Sequence, residues 1–345
     1  MPLHKLMAQT SFAEARRVLE ICSVCDYCSG FCEMFRAANR RPEFSDADVR
    51  YLAHLCHDCG NCLKACQYAP PHVFDIDPPK VMAEARAQSW RTTSWTALLP
   101  VPLAPVLTVA FVPADILLAR HTGPGAFYAV APWALLCLLA GAALLWSLVV
   151  LCVGVWRFWR DSGGGDPRRA LGAALGDILV LRNLKGGGIP CDHGGVRRWA
   201  HHGLVLGFAL CFASTCVATV YHHLWGYQAP YPFLSMPVVL GSVGGGLMML
   251  GCAGLLASRM RRNRSDGGVM LLGLLLAVSG SGFALLIWRD TMAMGLLLAF
   301  HLGTVLSLFL SISTSKLAHA AYRSAALLRA ALERIEQKRK RKEEP

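Results

Sequence analysis

Two runs of four cysteines, CSVCDYCSGFC (Cys22 to Cys32) and CHDCGNCLKAC (Cys56 to Cys66), share one spacing, C-x2-C-x2-C-x3-C. No other feature limits the fold of this chain so strongly. Four thiols packed into eleven residues, twice over, call for a core built of metal and sulfur. Three cysteines of such a run come from a tight loop that wraps one face of a cubane. The fourth begins a helix and points elsewhere. In two-cluster bacterial ferredoxins that fourth cysteine ligates the other cluster. On that rule Cys22, Cys25, Cys28 and Cys66 hold one [4Fe–4S] cluster, and Cys56, Cys59, Cys62 and Cys32 hold a second. Zinc sites instead pair two C-x2-C knuckles across a longer gap. The proline that usually follows the fourth cysteine is missing, with Glu33 and Gln67 in its place.

Between the runs, FSDADVRYLAHLC reads as a helix. Ser45 is its N-cap, Asp48 stands three residues on, and Val49, Leu52 and Leu55 share a face. The other six cysteines, Cys137, Cys152, Cys191, Cys211, Cys216 and Cys252, have no ligand spacing and read as small apolar side chains.

From about residue 95 the chain changes character. Only 16% of all residues are charged and 54% are apolar, against about 25% charged in an ordinary soluble domain. Six stretches approach the roughly 20 residues that span a bilayer: 96–118, 127–156, 199–224, 236–257, 268–288 and 293–313. Pro100, Pro102, Pro105 and Pro113 interrupt the first. The expected division is a soluble module over 1–94, a six-span domain over 95–315 and a basic tail over 316–345. No apolar h-region precedes the first cysteines, so the module is expected in the cytosol, where thiols stay reduced.

A net charge of +12 invites a nucleic-acid reading, but its location answers it. With six spans, the loops at 157–198 and 258–267 and the tail carry 21 Lys and Arg on the side of the termini. The opposite loops carry only Arg120 and Arg289. That bias orients both termini to the cytoplasm of a bacterial inner membrane and explains the charge without nucleic acid. The tail YRSAALLRAALERIEQKRKRKEEP can form an amphipathic helix, lying on anionic lipid or ending free in solvent.

Histidines within membrane spans are functional candidates, because polar groups there are costly. His201 and His202 open the third span, His222 and His223 close it, His301 lies within the sixth and His319 follows it. His301 and His319 are 18 residues apart, five whole turns and about 27 Å along one helix face. His201 and His223 differ by about 40° around their helix, whereas His202 and His222 point nearly opposite ways. Two b-type haems, or one, fit this pattern: an inner haem between His201 or His202 and His319, and an outer one between His222 or His223 and His301. No C-x-x-C-H is present, which excludes covalent c-type attachment.

The paired cysteine runs, the PPKVMAEAR linker and the histidine-bearing spans together resemble the tricarballylate (citrate) utilisation protein B family over nearly the whole chain. The cysteine module is similar to the α-helical ferredoxin of fumarate reductase iron–sulfur subunits. The membrane half is more distantly similar to the haem b subunit of respiratory nitrate reductase. The resemblance implies an all-α protein, an α-helical two-[4Fe–4S] ferredoxin-like domain followed by a six-helix transmembrane bundle. It implies an electron-transfer partner of a cytosolic FAD-dependent dehydrogenase, reoxidising its flavin and reducing membrane quinone. A membrane-anchored iron–sulfur redox sensor and a zinc-binding interaction module are the rival readings. The chain carries no G-x-G-x-x-G for flavin or nicotinamide and no acid–base constellation, so substrate chemistry belongs to another chain.

Overall fold

The computed structural model describes residues 3–89, 95–179, 194–260 and 268–343. Every regular element among them is helical, in agreement with the expected all-α class. Five helices open the chain: α1 (Leu3–Cys25), α2 (Glu33–Ala38), α3 (Asp46–Leu55), α4 (Asn61–Ala65) and α5 (Pro78–Ala87). Next come α6 (Pro100–Phe111), α7 (Ala114–Leu117), α8 (Ala126–Val130), the long α9 (Trp133–Asp161) and α10 (Leu171–Leu179). The last are α11 (Gly194–Trp225), α12 (Met236–Met260), α13 (Gly268–Trp288), α14 (Met294–Ser311) and α15 (His319–Glu343).

Contacts divide the chain into two units, with boundaries other than those expected from the sequence. The first gathers 1–92, 150–198 and 318–345; the second gathers 93–149 and 199–317. The C-terminal segment is therefore part of the cysteine module rather than a separate tail.

The core of the first unit combines Phe12, Val18 and Leu19 of α1, Tyr51, Leu52 and Leu55 of α3, and Met82 of α5. Phe158 of α9 and Tyr322, Leu327 and Ala330 of α15 complete it. α3 forms where the sequence reading places it. Ser45 caps it, accepting from the Asp48 backbone N–H while the Asp48 carboxylate accepts from the Ser45 N–H, a full capping box. His54 of α3 stacks on Tyr322 at 4.9 Å and meets Phe158 edge-on at 5.0 Å. The face of α15 expected to meet lipid or solvent is thus largely used inside its own unit. Apart from Ala320, its exposed part is the final stretch from Ile335 onward.

An ion network fastens α15. The Glu333 carboxylate accepts from Arg41 at 2.7 Å and pairs with Arg40 at 3.3 Å and Arg329 at 3.5 Å, while the Tyr51 hydroxyl donates to it at 3.3 Å. Arg334 bridges Glu33 at 2.9 Å and Asp177 at 2.8 Å. The SGGGD stretch makes a tight connection here: Gly163, Gly164 and Gly165 all have positive φ. Arg329 donates to the Gly164 carbonyl at 3.0 Å.

Among the described residues five helices are long and apolar enough to cross a membrane: α9, α11, α12, α13 and α14. The stretch expected as a first span is instead a 3-10 turn (Trp95–Leu98) followed by α6 and α7. Pro100 and Pro102 fall in the first turn of α6, where a missing N–H costs nothing. Val112, forced extended by the following Pro113, ends it after 12 residues. α11 and α12 approach backbone to backbone. A Cβ on Gly244 would lie 2.8 Å from the Gly207 carbonyl oxygen, and one on Gly251 would lie 2.5 Å from the Leu204 nitrogen. Small residues at such crossings are how helices associate where no hydrophobic drive exists between them.

Candidate metal centre

The two cysteine runs share one backbone reversal and otherwise differ, Cys22 to Cys25 being helical while the second run opens as a loop with Asp58 also left-handed at φ 53°. Cys22 and Cys25 occupy the last turn of α1, and Cys32 is the N-cap of α2. Cys56 is the C-cap of α3, Cys62 lies in α4 and Cys66 is the C-cap of α4. In both runs the residue straight after the second cysteine is left-handed, Asp26 at φ 51° and Gly60 at φ 79°. That reversal turns the third cysteine back toward the first two. Asp26 is not glycine, and its conformation is held by the Asn39 side-chain amide, which donates to it at 2.6 Å. Aligning the two runs could have revealed this position, since Asp and Gly are residues that tolerate αL.

Folding brings together the expected sets. A cavity of about 290 Å³ is lined by Cys22, Cys25, Cys28 and Cys66 with Ile21, Tyr27, Tyr68 and Ile76. Cys66 thus joins the first run across 38 residues of sequence, as the crossed arrangement requires. Burial pushes the Cys22 thiol up to about 12, and the Cys28, Cys66 and Cys25 sulfurs beside it raise it further. Burial likewise takes Cys28 up to about 11, beside Cys66 and Cys25.

The second set is deeper. Cys56 and Cys62 are buried, whereas Cys25 is exposed. Burial raises Cys62, with Cys56, Cys32 and Cys59 adding to it. Burial takes Cys32 up to about 12, opposed by hydrogen bonds from the Phe35 and Met34 backbone N–H groups at the start of α2. The Asp58 N–H points at the Cys56 sulfur at 3.5 Å. Thiols crowded this way ionise only beside a cation, and the thiolate is the metal ligand.

Among the described residues no three His, Cys, Asp or Glu side chains converge on a single-ion position. In a cubane each cysteine meets a different iron, so its holder is a set of sulfurs lining a cavity, as Cys22, Cys25, Cys28 and Cys66 do. The residues present therefore fit iron–sulfur clusters. Sequence reasoning missed three arginines around Cys56: Arg86, Arg197 and Arg323. Burial holds the Arg323 guanidinium down to about 10, still a cation at neutral pH.

The histidines are placed as follows. His301 on α14 is half-buried, its Nδ1 2.9 Å from the Ser281 hydroxyl of α13. Gly282 faces the same ring, since a Cβ there would lie 3.2 Å from its Cε1. His222 stacks flat on Trp133 at 4.6 Å, with its Nδ1 3.4 Å from the Tyr128 hydroxyl. His223 meets the edge of Trp133 at 4.8 Å and is exposed. His201 and His202 are half-buried, the latter tilted against Trp199 at 6.4 Å. His319 belongs to the first unit. Of the remaining cysteines, Cys252 packs in a core of Met248, Leu272 and Leu275, Cys211 is half-buried, Cys137, Cys152 and Cys216 are exposed, and Cys191 lies outside the described residues.

Comparison with known proteins finds two family models. Residues 15–92 match the family described as Citrate utilization protein B Fer4-like domain, and residues 88–340 match Citrate utilization protein B. The chain is 42% identical over 352 residues to Citrate utilization protein B of Escherichia coli, covering 93% of this chain and 92% of that one. No solved structure matches.

Proposed function

The chain belongs to the citrate utilization protein B family, and from that premise we propose that it is a membrane electron-transfer protein. In this reading it reoxidises the reduced flavin of a cytosolic FAD-dependent dehydrogenase of the tricarballylate type and delivers the electrons to membrane quinone. It does so with two [4Fe–4S] clusters and haem b. The observation that carries the reading is the cavity that joins Cys66 to Cys22, Cys25 and Cys28. Each cluster, when bound, supplies a one-electron couple. The protein supplies position and electrostatics.

Cys22, Cys25, Cys28 and Cys66 form the outer holder, with Cys25 exposed where a partner's flavin could approach. Cys56, Cys59, Cys62 and Cys32 form the inner one. Support for haem is the chemistry of the donor set: Ser281 fixes the His301 ring through Nδ1, as outer-shell hydrogen bonds orient metal-binding imidazoles. Gly282 keeps space beside that ring. The outer candidates are His222 and His223 with His301; the inner ones are His201 and His202 with His319. In this reading α6 and α7 make a broken sixth crossing beside the five long helices, which keeps both termini in the cytoplasm.

The test is anaerobic purification in detergent, iron and acid-labile sulfide assays, and a reduced-minus-oxidised visible spectrum. Iron and sulfide with a sharp haem b band support the whole reading. Iron and sulfide without that band remove the haem and favour a redox sensor. A colourless, zinc-loaded protein refutes the reading.

A further inference from the structure

Three arginines from three distant segments converge on the backbone of the second cysteine run. Arg86 of α5 donates to the Cys56 carbonyl at 2.7 Å and the Ala53 carbonyl at 3.3 Å. Arg323 of α15 donates to Cys56 at 3.1 Å, His54 at 3.4 Å and Leu55 at 3.5 Å, and its guanidinium lies against the His57 ring. Arg197, in the first turns of α11, donates to Asp58 at 3.1 Å and His57 at 3.4 Å. Carbonyls 53–58 are thus all covered by guanidinium donors. Part of this is capping, since the last carbonyls of α3 need partners. Capping needs donors but not net charge, and among the described residues Arg86 and Arg323 make no ion pair with a carboxylate. Among the described residues the first holder has no matching set of arginines on its backbone, and its thiols face chiefly one another.

A tetrathiolate cubane is anionic and gains one more negative charge on reduction, so nearby fixed cations favour the reduced form. Burial acts the other way, and the second holder is the more buried. Against burial stand three cations at one ligand segment, with the Asp58 carboxylate beside them. We propose that Arg86, Arg197 and Arg323 raise the reduction potential of the cluster held by Cys56, Cys59, Cys62 and Cys32 above that of the cluster held by Cys22, Cys25, Cys28 and Cys66. With both clusters bound, that order would make transfer of one electron from the first, oxidised in the step, to the second, reduced in it, downhill. This rests on the iron–sulfur reading above. The arginines are tuning residues and touch no substrate.

The experiment is a redox titration of the full-length protein in detergent, followed by electron paramagnetic resonance. Wild type is compared with Arg323→Gln, which keeps a donor but loses the charge, and with Arg323→Lys, which restores charge. Cys66→Ser identifies the signal of the first cluster by its loss or altered form. The expected result is two separate midpoints, of which only the higher falls in Arg323→Gln. The expected fall is at least tenfold in the reduction equilibrium, or 59 mV for one electron, with most of it recovered in Arg323→Lys. An unmoved higher midpoint, an equal fall in both, or the Cys66-dependent signal titrating higher overturns the proposal while leaving the clusters in place. Protein without iron overturns the iron–sulfur reading itself. Should Arg323→Gln fail to accumulate, Arg86→Gln and Arg197→Gln carry the same expectation.

Discussion

Glu333 tests whether α15 is a working part of the cysteine module. Its carboxylate is 10% exposed and faces Arg41 and Arg40 at 13% and 17%. Arg329 and the Tyr51 hydroxyl close the same ring. Glu333→Gln keeps the shape and an acceptor for Tyr51 but removes the one negative charge that these cations share. Breaking a buried pair by removing one partner costs about 3–5 kcal/mol, because the remaining charge is left uncompensated. Arg41 keeps Asp48 at 2.6 Å as a second anion, so the lower end, about 3 kcal/mol, is the figure to expect. That is roughly a hundredfold rise in the open population of the segment. Hydrogen exchange read by mass spectrometry measures it directly, as faster exchange of peptides from α15 and α3 with α12 and α13 unchanged. The control is Glu343→Gln. Its partner Arg339 and Glu343 itself are 68% and 65% exposed, and such surface pairs are worth about 0–1 kcal/mol. Equal effects from the two substitutions, or less than a tenfold change in α15 exchange for Glu333→Gln, would refute the reasoning.

Other predictions concern the holders, the acid limb and the helix crossing. Cys66→Ser is expected to abolish or alter the cluster of the first run and leave the second run's signal intact, with Cys32→Ser doing the reverse; the opposite assignment by magnetic resonance would remove the crossed ligation. Burial alone would raise the Asp48 carboxyl, but hydrogen bonds from Ser45 and Arg41 outweigh it and hold its pKa below the usual value. A depressed folded pKa gives stability that is present above the unfolded value and lost as pH falls through the folded one. Exchange of α3 should therefore accelerate on acidification below about pH 4, and Asp48→Asn should flatten that step while costing stability at neutral pH. In α12, Gly251→Ala would press a methyl against the Leu204 nitrogen and the Ala200 carbonyl and should cost about 1–3 kcal/mol by overpacking. Gly246→Ala, with nothing within 4 Å, should be neutral or stabilising; melting in detergent separates the two.

The legible parts of this chain were those encoded by short-range spacing. The cysteine sets could be read because ligand geometry is written in x2 and x3 intervals, and the capping box of α3 because it spans three residues. The placement of α15 was not legible. Its apolar stripe of Tyr322, Ala326, Leu327 and Ala330 has the same pattern whether it faces lipid, solvent or another helix. Arg197 and Arg323 were hidden for a related reason, since a count of cytoplasmic charge treats a cation on a backbone carbonyl like one in water. The stretch at 96–118 shows the converse, because its apolar content implied a span while its prolines set the actual helix breaks.

The first unit takes its walls from both ends of the polypeptide, and this fixes when it can be finished. A ribosome has released the two cysteine runs long before Phe158, and every long apolar helix before Tyr322, Arg323 and Glu333 emerge. Until then His54 lacks its stacking ring and the carbonyls of the second run lack one of their three cations. Maturation of the inner holder is thus an event at the end of translation, after the apolar segments have been made. A gene fragment encoding only residues 1–94 would produce the ligands without the enclosure that keeps them.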